Sequence, residues 1–221
     1  MYRYAQSMDY DIVWADWYLT YVGNERYMKQ PSYDTPMEAL KSMLGGGMKY
    51  NVWNKLVRRT LYTFNHIEFP VGYGMGEDMT MMMLFALANS AGHLPKAYYH
   101  YVKTNANAFS QTYSKKHWAE LLYNVQRILD FMHGKFGLLL ERELHFFRLE
   151  AKFPLLIKGT LKENYQLWNE LYTESNCHIM ANQYISMRSR MLQWCAWKGQ
   201  WWFVRAYYHL VFNGLYKIVY R

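Results

Sequence analysis

Cysteine is scarce: only Cys177 and Cys195 occur in 221 residues, and neither has a second cysteine within a short spacing. This excludes a disulfide framework and a zinc knuckle, and it points to a reducing compartment. Long apolar runs are also missing. Arg205, His209, Asn213 and Lys217 interrupt the most hydrophobic window, so no stretch reaches the roughly 18 to 20 residues of a bilayer span. The opening MYRYAQSMDYD has no charged segment followed by an apolar one, which excludes a secretory signal there. Acidic side chains stop at Glu174, whereas Arg188, Arg190, Lys198, Arg205, Lys217 and Arg221 all follow it. Most of the net charge of +8 therefore sits at the C-terminal end. What is abundant is aromatic surface, with 22 Tyr and 9 Trp, more than a packed core of this size consumes.

Periodicity divides the chain in two. Met1 to Ser7 reads as the end of a helix, and residues 11 to 19 (DIVWADWYL) as a strand rich in β-branched and aromatic residues. A turn at Gly23-Asn24 leads to a short strand near residues 25–29. Thr35-Pro36-Met37-Glu38 starts a helix that stops at Gly45-Gly46-Gly47. An extended piece turns into a helix over residues 50–65, and a glycine-rich loop runs from His66 to Gly76. The helix expected from Glu77 to Ser90 is apolar on nearly every face, which requires burial all round. A strand follows at Ala97-Tyr-Tyr-His-Tyr-Val and a linker at residues 105–108; from Ser114 onward every pattern is helical. The expected architecture is α/β over residues 1–106 and all-α over residues 107–221.

Four local features could carry chemistry. Glu77 and Asp78 open a helix after Gly72, Gly74 and Gly76. Simple capping against the helix dipole accounts for such a pair. So does a rigid carboxylate beside a cleft, poised as a general base. Asp9-Tyr10-Asp11 has metal-binding spacing but precedes a strand instead of following one, and it reads as a helix end and turn. His100 is a lone strand histidine between two tyrosines, more readily packed than ligating. The triple glycine lacks the Lys-Ser/Thr of a phosphate loop and reads as a helix end and hinge.

Taken in order, DIVWADWY, VWNKLVRR, FPVGYGMGED with its apolar helix, and LPKAYYHYVKTNANAFS resemble the second half of family 2 glycosyltransferases, of the kind found in bacterial capsule, exopolysaccharide and lipopolysaccharide gene clusters. The resemblance covers roughly residues 1 to 113. It implies the acceptor-side half of a Rossmann-like GT-A fold, followed by a helical region. It further implies that Asp78 is the base of an inverting transfer, with Glu77 an orienting or acceptor-site carboxylate. Trp53, Asn54, Lys55 and Gly76 would line the substrate cleft, and His100 would approach the metal or diphosphate. A divalent metal, Mg or Mn, is expected for the intact enzyme. The nucleotide-binding half and its metal-binding DxD have no counterpart in the chain, so a complementary N-terminal half is an expected partner. The class-different alternative is a non-catalytic helical interaction or membrane-surface protein that retains a fold remnant.

The tail from residue 182 to 221 interleaves Trp, Tyr and Phe with cations and no acid. Such a segment suits an anionic membrane surface, a packed helical subdomain, or single-stranded nucleic acid. The membrane is favoured over nucleic acid, because stacking platforms for bases belong on sheets and barrels. The expected setting is the cytoplasmic face of the cytoplasmic membrane, with a nucleotide-sugar donor and a glycan or lipid-linked acceptor.

Overall fold

The computed structural model describes residues 1–103, 115–157 and 162–215, apart from the side chains of 115, 162 and 212–215. Two compact units result: residues 1–43 with 48–140, and residues 44–47 with 141–221. The first is mixed α/β. Its centre is β1 (Ile12–Thr20), whose first six residues are all buried. β1 pairs in parallel with β4 (Ala91–Val102) along its whole length. It also pairs antiparallel with β3 (Lys55–Val57) at residues 12–14 and with β2 (Glu25–Met28) at residues 17–20. β-branched and aromatic side chains fit this doubly covered position, where both faces of the pleat must pack.

Around the sheet lie α1 (Tyr2–Ser7), α2 (Pro36–Leu44) and α3 (Arg59–Phe64). They are followed by a 3-10 turn (Glu77–Met79) that runs into α4 (Thr80–Leu87). Residues 80–85 of α4 are all buried, as a helix without a polar face requires. α2 begins on a reciprocal capping box. The Glu38 N–H donates to Thr35 Oγ1 at 3.2 Å, and the Thr35 N–H donates to Glu38 Oε2 at 3.1 Å.

Two expectations from the sequence meet differences. β4 starts at Ala91, six residues before the expected strand, and runs through Pro95. Its register jumps from Leu94 opposite Ala15 to Ala97 opposite Asp16. Pro95 and Lys96 thus sit in a bulge, where a missing N–H breaks no ladder bond. The expected boundary at residue 106 is replaced by one after Leu140, because α5 (Lys115–Phe136) packs on α4 and the 3-10 turn. Leu121, Val125, Ile128, Leu129 and Met132 form its buried stripe. The linker expected at residues 105–108 lies outside the described residues.

An unexpected carboxylate sits inside β1. Asp16 is 1% exposed. Its Oδ1 accepts from the Gln30 backbone N–H at 2.6 Å and lies 3.0 Å from His93 Nε2, and its Oδ2 accepts from the Tyr27 hydroxyl. That hydrogen bond pushes the Tyr27 phenol up to about 12. His93 stacks on Trp14, and its Nδ1 lies 2.6 Å from Ser32 Oγ. One side chain therefore ties β1 to β2, β4 and the loop after β2.

The second unit is helical among its described residues: α6 (Glu141–Lys152), α7 (Pro154–Ile157), α8 (Lys162–Glu170), a 3-10 segment (Thr173–Ala181), α9 (Met187–Trp197) and α10 (Trp201–Tyr207) continuing as π-helix (Tyr208–Leu215). Gly45 belongs here, its carbonyl accepting from Asn182 Nδ2 at 3.0 Å. A Cβ on Gly45 would lie 2.2 Å from the Tyr184 ring, so the triple glycine serves close packing. Lys152 is fully buried and donates to Trp168 O, Leu171 O and Asn176 Oδ1 at 2.6 to 3.2 Å. The ammonium thereby caps the C-terminal carbonyls of α8. Burial lowers its pKa to about 8.

Removing the Asp16 carboxylate would strand two buried donors, the Gln30 N–H and His93, and free the hydroxyl of the more exposed Tyr27. Asp16→Ala should therefore cost about 3 to 5 kcal/mol in urea unfolding, and Asp16→Asn, which keeps an acceptor for both, roughly a third of that. Equal losses for the two variants would contradict the network.

Candidate functional site

The segment from Tyr73 to Asp78 is shaped by its own glycines and by α5. Gly76 has φ +89°, a left-handed conformation that L side chains rarely adopt, and it ends the loop just before the Glu77–Met79 turn. A Cβ there would come within 3.3 to 3.4 Å of Leu121 and Asn124. Two polar residues on the apolar side of α5 hold the loop. Glu120 Oε2 accepts from the Met75 N–H at 3.0 Å, and Asn124 Nδ2 donates to Met75 O at 3.0 Å. Both side chains are buried. Arg127, one turn further along, donates to Thr80 Oγ1 at 2.9 Å and to Glu68 O at 2.6 Å, fixing α4 and the start of the loop.

These tethers place Glu77 and Asp78 where protein replaces water. Burial raises Asp78 to about 6; the neighbouring Glu77 charge adds to the rise, and Lys55 opposes it. Burial also raises Glu77, and Glu120 adds to that rise while nearby backbone N–H groups oppose it. An ionised carboxylate with a pKa near 6 suits proton abstraction at neutral pH better than one near 4.

The WNK segment approaches from β3. Asn54 is buried and reciprocally bonded to β1: Asn54 Nδ2 donates to Ala15 O at 2.9 Å, and Ala15 N donates to Asn54 O at 3.0 Å. Lys55 is half-buried as a residue, but its ammonium donates to Lys49 O, Asn51 O and Asn54 Oδ1 at 2.7 to 2.9 Å. Three oxygens match the three protons of an ammonium. Burial nevertheless pulls Lys55 down to about 7, with Asp78 acting in the opposite direction. Lys55 is thus a cation whose charge acts on Asp78, and it is fixed by its own loop.

Trp53 stacks on Tyr99 (4.5 Å between ring centres) and on Tyr101 (5.3 Å), and Trp17 meets it edge-on at 4.9 Å. WNK and YHY are therefore brought together through aromatic faces. His100 is not part of that group. Alternation along β4 turns it the other way: it stacks on Tyr18, and its Nδ1 lies 2.7 Å from Glu25 Oε1. The Asp9 and Asp11 carboxylates are engaged by Arg58 at 2.5 and 3.0 Å, and Asp11 also accepts from the Asn89 N–H. Among the described residues no group of three His, Cys, Asp or Glu side chains converges to hold a metal ion. A cleft of about 410 Å³ lies elsewhere in the unit, walled by Tyr2, Gln6, Asp9, Tyr10, Arg58 and Arg59.

Sequence reasoning missed Glu120, Asn124 and Arg127. The detectable signal was a pair of polar residues four apart, beside the apolar stripe of an amphipathic helix.

No protein-family model matches the chain, and no curated protein does. Two solved structures of the glycosyltransferase S. aureus TarS do match in fold. The structure of TarS 1–349 in complex with UDP-GlcNAc aligns with a TM-score of 0.51 at 17% identity, over 96% of this chain and 62% of the TarS chain. A second structure of TarS 1–349 aligns with a TM-score of 0.53 at 17% identity, over 96% and 61%. The chain has a mixed α/β, glycosyltransferase-like fold and spans about three fifths of the neighbour's length.

Carbon-13 titration of the Asp78 carboxyl should give a midpoint near 6. Glu77→Gln should move that midpoint down and Lys55→Met should move it up. A shift of either in the opposite direction would show that the pair and the ammonium do not share one electrostatic site.

Proposed function

We propose that this chain forms the acceptor side of an inverting glycosyltransferase, in which Asp78 takes the proton from the acceptor hydroxyl. The observation that supports this most is a tethered carboxylate with its pKa raised to about 6, on a glycosyltransferase-like fold. As the hydroxyl proton passes to Asp78, the oxygen attacks the anomeric carbon of a nucleotide-sugar donor, and the nucleoside diphosphate leaves with the bonding pair. Glu77 orients the acceptor and keeps the local field negative, which maintains the basicity of Asp78. In this reading Trp53, Asn54, Lys55 and Gly76 contact substrate, with Tyr99 and Tyr101 stacked on Trp53.

In this reading donor binding falls to a complementary N-terminal half. The divalent metal of this reading belongs to that half. The described residues do not fit one, because His100 is bonded to Glu25 and both DxD carboxylates are bonded to Arg58. The acceptor is a glycan or a lipid-linked sugar in cell-surface polysaccharide synthesis at the cytoplasmic membrane face. The binding of UDP-GlcNAc by the neighbour supports a nucleotide-sugar donor.

With the complementary half supplied in trans, Asp78→Asn should lower sugar transfer, followed as nucleoside diphosphate release, by at least about 10²-fold. Because burial disfavours the ionised form, the folded pKa lies above the unfolded value, and at neutral pH the charge costs stability. The same variant should therefore unfold at an equal or higher urea concentration. Near-normal turnover would reduce Asp78 to a helix cap.

A further inference from the structure

α9 buries Leu192, Gln193, Cys195 and Ala196 and turns the other side of the helix outward. On that outer side Met187, Met191, Trp194 and Lys198 recur at i, i+4, i+7 and i+11, which is one stripe of a helix. The turn through Gly199 leads to α10, which buries Val204 and exposes Trp202, Arg205 and Ala206. Trp202 and Leu210 are each 70% exposed, although both are large and apolar. Trp197 is at the surface as well, with the Lys198 ammonium 3.9 Å from its ring centre. Arg188, Lys198 and Arg205 are the exposed cations of this stretch, and no acidic residue follows Glu174 in the chain.

We propose that the outward surface of α9 and α10 docks on an anionic lipid surface, with Trp202, Trp197 and Leu210 entering the headgroup region and Arg188, Lys198 and Arg205 meeting lipid phosphates. Two observations favour lipid over a folded protein partner or a nucleic acid. The apolar side chains project singly between cations, the layout of an interfacial helix, where indole rings sit at headgroup depth. One face of the Trp197 ring is already covered by Lys198, which halves the ring surface on which a base could stack. Among the described residues no helix is long and apolar enough to cross a membrane, and docking of this kind needs none. The inference is independent of the role of Asp78, because lipid binding is read without turnover.

The test is sedimentation of the full chain with sucrose-loaded vesicles of phosphatidylcholine, with and without phosphatidylglycerol. Binding should require phosphatidylglycerol and weaken with salt. Each exposed cation contributes roughly fivefold to partitioning, so Lys198→Gln with Arg205→Gln should weaken it by roughly 25-fold. Trp202→Ser should weaken it by on the order of tenfold through lost apolar burial. Circular dichroism should be unchanged in each variant, since these side chains are exposed. Equal binding to both vesicle types, or no loss with Trp202→Ser, overturns the proposal. So does a single-stranded RNA that displaces the chain from vesicles and whose own binding is weakened by Trp202→Ser. In the Asp78→Asn variant vesicle binding should be unaltered, which separates failure of this inference from failure of the transfer reading.

Discussion

A carboxylate in the middle of a fully buried strand imposes a strict condition on everything near it. Asp16 must find donors without water, and it finds them on β2, on the loop that follows, and on β4. Satisfying it fixes how these pieces lie against β1. The adjacent residue, Ala15, exchanges two hydrogen bonds with Asn54. The same point on β1 therefore also holds the WNK segment, and through Asn54 Oδ1 it helps hold the Lys55 ammonium. The polar hub and the anchor point of Asn54 are adjacent residues of β1, so the buried network and the orientation of Lys55 are parts of one arrangement.

The candidate site rests on a second restraint of a different kind. A loop with three glycines has many conformations to lose, and one helix face removes most of them. Glu120 and Asn124 take up the backbone groups of Met75, while Arg127 holds Thr80 and Glu68. Glu120 also adds negative charge near Glu77. Glu120, which holds the loop in place, thus also raises the proton affinity of Glu77. Geometry and electrostatics are coupled through α5, a helix whose sequence alone suggests membership of the C-terminal region.

The elements that the sequence revealed are those whose local pattern leaves one solution. The first is β1, with its β-branched and aromatic run. The second is α2, with Thr35, Pro36 and Glu38 at its start. The third is α4, which has no polar face and is buried over residues 80–85. The elements it hid depend on partners distant in the chain. Pro95 argues against a strand until the bulge opposite Ala15 and Asp16 is known. The apolar stripe of α5 states that the helix packs, but not against what. At the site, the grouping of Glu77, Asp78 and Lys55 follows from motif order, whereas the orientation of His100 follows from strand parity combined with the position of Trp53. Asp16 was invisible as a hub, because one acid in an apolar strand announces nothing about its donors.

The bulge at Pro95 and Lys96 has a consequence for the behaviour of the chain in solution. Among the described residues β4 pairs only with β1, and an outer strand of twelve residues is long enough to recruit the edge of another molecule. Pro95 removes a donor from the middle of that row, and Lys96 sets a cation beside it. A template for fibrous stacking is thereby divided into two shorter pieces, residues 91–94 and 97–102, that no longer share one continuous row of donors.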